Sequence, residues 1–426
     1  MLRNAYHLLL GLLALPFLFL LQFRTMWAFT KSLFDGLTDV SLSEPEHHEK
    51  IAYDTVDATP SMKQRFAVAE LCQSLIEAED WVGLSEKLTH WDQTREKSDA
   101  GYALASTARD TVLNCMAEAV VEGHTCHPDP ILIFADETVE FMETLVEKHP
   151  ECYPLLALAA DMRCYQGWVS RGADYSQYVT DDGWFGMAQH FAKAQALLDT
   201  HDPVAMNAPL LAAVRHKLLA FMPDADKHVG LFYEQWSDLD LVDQEPHAKH
   251  AIMMLPRWFG SEQTLEIEAQ KAAIRTAEVT GDAAYFSMYR RAFDAWDPSI
   301  LNLDTQALGL GAHDLITLRN DDPAVVAEVI QKMLWWTAIG SDRDYSKSER
   351  EIWSGLAAEI DEIRRDITMN RLLAICPAAW EGGVEDALDT LSFFIQDDIK
   401  AGSTFRLGKT GFEIFPHASG QMARPA

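Results

Sequence analysis

Apolar residues recur at steps of three and four along most of the chain, which is the spacing of one face of an α-helix. The pattern is most regular between Cys152 and Trp296, where six apolar sets follow one another. They are Trp184, Met187, Ala188, Phe191, Leu198; Leu210, Leu211, Val214, Leu218, Phe221; Val229, Phe232, Tyr233, Trp236; Ala248, Ile252, Leu255; Leu265, Ala269, Ala273; and Tyr285, Met288, Tyr289, Ala292, Trp296. A helix pair takes about 40 residues, and one pair cannot bury its apolar stripe alone. The pattern therefore predicts an all-α, superhelical stack of antiparallel helix pairs over about residues 60–400.

The same periodicity and its interruptions divide the chain into five predicted parts. They are a hydrophobic N-terminal segment (1–31), a polar linker (32–60), a helical-repeat domain (61–298), a C-terminal helical region (299–400) and a tail (401–426) that could form a short hairpin. The pattern loosens after Asp297-Pro298, and a clear helix begins again at Pro323. Ser346 and Glu349 have the spacing of a capping box at the start of a long helix.

The N-terminal segment contains an uninterrupted apolar run from Leu8 to Leu21. Extended to Tyr6–Phe23 it would be about 27 Å long as a helix, close to the ~30 Å core of a bilayer. We expect an uncleaved membrane anchor. A cleaved signal peptide, a packed helix and a chain start at Met26 are the alternatives. The flanking charges nearly balance, so neither the cytoplasmic nor the periplasmic side is favoured.

Composition narrows the classes of partner. The formal net charge is −30, which opposes binding to a phosphate backbone and favours a basic protein or peptide partner over nucleic acid. A solvated acidic surface is the simpler alternative. The six cysteines are too few for a disulfide scaffold in a chain of 426 residues.

No catalytic, metal or cofactor site is predicted. Gly402 and Gly408-Lys409-Thr410 resemble a phosphate loop, but the spacing is one residue too long and a helix precedes it. His124 and His127 could supply half a zinc site, although only one half is visible there and a loop is the favoured interpretation. His247 and His250, an i,i+3 pair on a helix, could in principle supply the other half. The rival architecture is an α/α toroid, an enzyme with carboxylates in a central cavity.

Segments between the helices resemble an uncharacterised bacterial family, a domain of unknown function that is similar to tetratricopeptide-like helical repeats. They are Gly167-Trp168-Val169-Ser170-Arg171-Gly172, Gly183-Trp184 and Leu255-Pro256-Arg257-Trp258-Phe259-Gly260-Ser261. The family pattern is W-x-x-R-G, then a G-W helix start, then L-P-[KR]-W-x-G-S, and Phe259 departs from it where a glycine is expected. The resemblance covers roughly residues 65–296. It implies an architecture and no chemistry.

Seven residues are the candidate partner-binding set. They are Trp168, Arg171, Tyr175, Trp184, Arg257, Trp258 and Trp335. Aromatic and arginine side chains dominate binding hot spots, but the same residues can lock one repeat onto the next. Arg171 before Gly172 indicates a helix end, and Arg257 in a tight turn could bond turn carbonyls. We therefore expect a non-enzymatic interaction scaffold, or a membrane-tethered accessory subunit.

Overall fold

The structure of the protein is a computed structural model, which describes residues 45–121, 130–174, 176–295, 298–340, 345–380, 382–408 and 411–415. The described residues form fifteen α-helices and five short β-strands, which confirms the prediction of a mostly helical chain. The predicted N-terminal anchor and Tyr175 lie outside these residues. Within them, no helix is long and apolar enough to cross a bilayer.

The chain divides into two compact units, residues 60–320 and residues 321–415 together with 45–59. The first unit contains α1 (Pro60–Glu77), α2 (Trp81–Thr94), α3 (Leu104–Met116), α4 (Asp136–Lys148), α5 (Tyr153–Arg171), α6 (Asp181–Leu198), α7 (Pro209–Lys217), α8 (Ala225–Leu239), α9 (Glu245–Met253), α10 (Thr264–Thr280), α11 (Ala283–Ala295) and α12 (Thr305–Leu318). Strands β2 (Ala119–Val121) and β3 (Ile131–Ile133) pair antiparallel between α3 and α4.

Helix α5 is the centre of the first unit. It packs against α2, α3, α4, α6 and α7, and nearly every residue from Tyr153 to Trp168 is buried. A helix that is apolar on all sides belongs in the interior. Its buried polar side chains have partners: Arg163 Nε donates to Glu143 at 2.6 Å, and Gln166 donates to Asp136 at 2.8 Å.

The first unit extends beyond the expected boundary at residue 298. Helix α12 packs on α11 and buries Leu308, Leu315 and Ile316. The close approach depends on Gly311, because a Cβ atom there would lie 2.5 Å from the carbonyl oxygen of Asp282. The glycines that loosen the apolar pattern in this stretch therefore permit helix packing instead of ending it.

The second unit contains α13 (Pro323–Gly340), α14 (Lys347–Arg371) and α15 (Val384–Lys400), followed by β4 (Thr404–Gly408) and β5 (Gly411–Phe415). β4 and β5 pair antiparallel, and β1 (Ile51–Ala52) joins β4 in parallel. Residues 51–59, expected to be linker, are thus part of this unit. The capping box of Ser346 and Glu349 is confirmed at the start of α14.

A matched pair of glycine substitutions tests the α11–α12 contact. We expect Gly311→Ala to lower the free energy of unfolding by about 1–3 kcal/mol, because the added methyl group overlaps Asp282 and Phe286. Gly230→Ala on α8 is the control, since nothing lies within 4 Å of its Cβ position, and it should stabilise by about 0.5–1 kcal/mol. Urea unfolding measures both; equal effects of the two substitutions would contradict the packing.

Candidate functional site

Four of the seven predicted residues lie together, and we call Trp168, Arg171, Trp184 and Trp258 the Trp–Arg cluster. The guanidinium of Arg171 lies 5.5 Å from the ring centroid of Trp168 and 5.2 Å from that of Trp184, within the range of cation–π attraction. The ring of Trp258 meets Trp168 edge-on at 6.2 Å. The three separated sequence segments therefore meet at one place.

Close helix packing builds this cluster. A Cβ atom on Gly167 would lie 2.6 Å from the ring of Phe191, so the glycine lets α5 and α6 approach. Helix α5 ends at Arg171, and Gly172 adopts a positive φ of 80°. Nη1 of Arg171 donates to the carbonyl oxygens of Gly172 and Asp174, both at 3.0 Å. The interpretation of Arg171 as a helix end followed by glycine is confirmed.

The third segment forms a tight turn after α9. A Cβ atom on Gly260 would lie 1.8 Å from the carbonyl oxygen of Met254, so only glycine fits there. Arg257 Nη2 donates to the carbonyl oxygen of Ala295, the last residue of α11, at 2.6 Å. Its role in the structure is therefore to satisfy a helix C-terminus.

Trp335 belongs to the other unit. It lies on α13, half-buried, and Nζ of Lys332 is 5.4 Å from its ring centroid. The long side chain of Lys332, three residues earlier on the same helix, therefore covers part of the Trp335 ring.

Large apolar side chains are exposed beside the Trp–Arg cluster. Val169 at the end of α5, Tyr178 in the turn and Phe185 at the start of α6 are 43%, 66% and 64% exposed. We call these three residues the apolar rim. Trp184 is half-buried at the same end of the α5–α6 hairpin. Exposed apolar groups next to aromatic and arginine side chains are typical of a protein-binding surface.

The structure also contains a charge cluster that the sequence did not predict. It is formed by the buried Asp92, Arg109 and Asp161 and the half-buried Lys217 and Glu245. Nη2 of Arg109 lies 3.1 Å from Glu245 Oε1, and Lys217 forms an ion pair with the fully buried Asp161. Such charges require partners because isolated buried charges are very costly. The sequence contained one sign of this cluster, an acidic residue within an apolar run. Asp161 occupies such a position on α5, and Asp92 does so at the end of the apolar stripe of α2.

Asp92 is a buried carboxyl group that accepts hydrogen bonds on both of its oxygens. Tyr153 Oη donates to its Oδ2 at 2.9 Å, and the backbone N–H of Leu210 donates to its Oδ1 at 3.1 Å. Burial nevertheless raises the pKa of Asp92 to about 7. A carboxyl that titrates near neutral pH can donate or accept a proton in catalysis.

The cavity next to Asp92 is small. Its volume is about 20 Å³, and Arg109, Glu245, Trp91 and Trp236 contribute to its lining. A space of this size suits one water molecule, whereas sites for small-molecule ligands enclose several hundred Å³.

Comparison with protein-family models, with curated proteins and with solved structures gives no match. The resemblance of the motif segments to the uncharacterised family therefore stays a prediction.

Three buried imidazoles form a second group, in which His216 joins His247 and His250, the pair that the sequence singled out as half of a zinc site. The ring of Tyr233 stacks on His250 at 3.9 Å, and Tyr233 Oη lies 2.8 Å from His247 Nδ1. Burial lowers the pKa of His216 and of His247 to about 3, and it also lowers the pKa of His250. Across the part of the chain that the structure describes, no three His, Cys, Asp or Glu side chains are placed to hold a metal ion.

These titrations predict acid sensitivity. The histidines are neutral in the folded chain and have a pKa of about 6.5 when unfolded, so the unfolded state binds more protons below that pH. The stabilising contribution of His216 and His247 is complete above pH 6.5 and is lost as the pH falls towards 3, and His250 acts in the same direction. Each histidine contributes a slope of up to about 1.4 kcal/mol per pH unit.

Urea unfolding between pH 7 and 4.5 measures this effect, and His216→Phe should flatten the acid loss. Asp92 acts in the opposite direction, because its raised pKa makes the folded state gain protons as the pH falls from 7 towards 4. Asp92→Asn should therefore steepen the loss. An unchanged slope in both variants would show that neither group titrates as described.

Proposed function

We propose that this chain is a non-enzymatic helical-repeat protein that binds a protein or peptide partner at the Trp–Arg cluster. The observation that carries the proposal is the apolar rim of Val169, Tyr178 and Phe185 around that cluster. A side chain of this size that stays in water forgoes the ~25 cal/mol per Å² gained on burial. A partner that covers the rim gains this free energy of burial.

The rigid support beneath the rim favours binding. Arg171 is held by two carbonyl oxygens and two tryptophan rings, so the surface is ordered before a partner arrives. Preorganisation reduces the entropy lost on association. The net charge of −30 favours a basic partner, since complementary charge speeds encounter.

We further propose that the helix pairs of residues 60–320 continue as a superhelical stack. Support comes from the packing of successive helices on one another, as in α5–α6, α7–α8 and α10–α11–α12. Small-angle scattering of residues 60–320 alone tests this: a curved, elongated unit is expected, and a compact globular unit would contradict it.

Residues 1–31 would tether the chain to a membrane as part of an accessory subunit. The support is their apolar run, which is nearly as long as a bilayer core is thick. The full chain should stay in the carbonate-washed membrane fraction and a chain starting at residue 32 should leave it. A full-length protein that is soluble, or one whose N-terminus is removed by processing, would contradict the tether.

A second candidate function is an enzyme that uses carboxylates in the manner of an α/α toroid. Asp92 favours it, because a carboxyl with a pKa near 7 beside Glu245 and Arg109 is the kind of group that active sites contain. Activity profiling against hydrolase and transferase substrates tests it. A turnover that Asp92→Asn abolishes would establish it, and no turnover would remove it.

The binding proposal predicts the loss of a partner when the rim is made polar. Full-length protein carrying Y178S and F185S should recover at least tenfold less of the partner that co-purifies with wild type, because truncated hot-spot residues cost about 1–2 kcal/mol or more each. Ile274→Ser is the control, since Ile274 on α10 is 77% exposed and far along the chain from the rim. Quantitative mass spectrometry after cross-linking measures the recovery. Equal recovery from all three proteins would contradict the proposed site.

A further inference from the structure

An open groove runs along the outer face of α2. Val82, Glu86, Thr89 and His90 form one wall. Val82 and Glu86 are four residues apart, and Thr89 and His90 follow Glu86 by three and four, so they lie along one side of the helix. Glu151 and Cys152, in the turn before α5, form the facing wall. The groove holds about 370 Å³, which is within the range of ligand-binding sites. It is separate from the Trp–Arg cluster and from the cavity beside Asp92.

The charged groups of the groove favour a cation. Carboxylates stand on both walls, at Glu86 and Glu151, and no lysine or arginine lines the groove. The side chain of Glu151 is 72% exposed. Cys152 Sγ donates to its Oε1 at 3.8 Å, and His149 Nδ1 lies 3.9 Å from the same oxygen. Both carboxylates are therefore accessible to a ligand from solution.

The groove also offers an apolar contact. Val82 is 38% exposed at one end of the α2 wall. Lysine and arginine combine a charged head with an apolar stem, so such a side chain can place its stem on Val82 and its head between the carboxylates. An uncharged apolar ligand is disfavoured, because it would remove water from the two carboxylates without supplying a positive charge.

The α2 wall is held in place from behind. Tyr153 Oη, from α5, donates to Asp92 Oδ2 on the buried side of α2 at 2.9 Å. Leu84, Leu88 and Trp91 on the opposite face of α2 are buried in the core of the unit. The wall is therefore rigid, and binding does not require it to be ordered first.

We propose that this groove binds a lysine or arginine side chain on a basic segment of a partner protein. A second copy of this chain is the less favoured occupant, because two chains of net charge −30 repel each other. The inference goes beyond the proposed function, since it concerns a different surface and specifies the chemistry of the ligand.

Charge reversal in the groove tests the proposal on the full chain extracted in detergent. The probe is a fluorescent ten-residue peptide of alternating lysine and leucine, and fluorescence anisotropy measures its binding. The double variant E86K and E151K should bind it at least tenfold more weakly than wild type. The matched control is E137K and E140K, which makes the same charge change at exposed positions of α4. Circular dichroism verifies that both variants remain folded.

The control separates a site from general attraction to an acidic protein. Equal weakening by the two double variants would overturn the proposal, and so would equal binding of a peptide of alternating glutamate and leucine. Binding of lysine amide as tight as that of the peptide would also overturn it, because a small amine would then suffice. A monomer–dimer equilibrium that Val82→Lys abolishes would assign the groove to a second copy instead.

A footprint on wild-type protein gives a test that does not depend on folded variants. Cys152 lines the groove and is half-buried, whereas Cys115 is exposed on α3. The lysine–leucine peptide should slow the modification of Cys152 by a maleimide at least fivefold and leave the rate at Cys115 unchanged. Equal rates at Cys152 with and without saturating peptide would overturn the proposal.

Discussion

The burial of α5 on nearly all of its sides is the constraint on which the first unit depends. Five other helices pack on it, so each must present an apolar stripe at the correct height and angle. The same burial requires a partner for every polar side chain that α5 carries. Asp161 obtains Lys217 from α7, and Arg163 obtains Glu143 from α4, so these ion pairs also fix which helices lie next to α5.

The end of α5 links this packing to the Trp–Arg cluster. Arg171 is the last residue of the helix, and its guanidinium lies within cation–π distance of two tryptophan rings. Glycines at the α5–α6 contact leave no space for a side chain. The residues that carry the motif therefore build the platform. The side chains of the apolar rim are 43–66% exposed, whereas Trp168 and Arg171 are buried, which makes the rim the better candidate for contact with a partner. Helix α2, which forms one wall of the groove, also contacts α5, because Tyr153 Oη of α5 donates to Asp92 of α2.

Local patterns were readable from the sequence, and contacts between distant residues were not. Helical periodicity predicted the all-α class, and the spacing of Ser346 and Glu349 predicted a cap, because both depend on residues within one or two turns. The sequence gives no comparable signal for Tyr153 meeting Asp92 61 residues away, or for Ile51 pairing with Phe405. The contact between the segments of the Trp–Arg cluster was predicted only in part. The sequence indicated that these residues could pack one repeat onto the next, but it did not indicate which of the side chains meet.

Native-state hydrogen exchange, followed residue by residue, tests the central role of α5 most directly. If α5 organises the unit of residues 60–320, the amides of its middle turns should exchange only through global unfolding, with the slowest rates in the unit. The amides of α1 and α10, which each leave one face exposed, should exchange faster through local opening. Exchange in the middle of α5 that is as fast as in α1 would contradict the account.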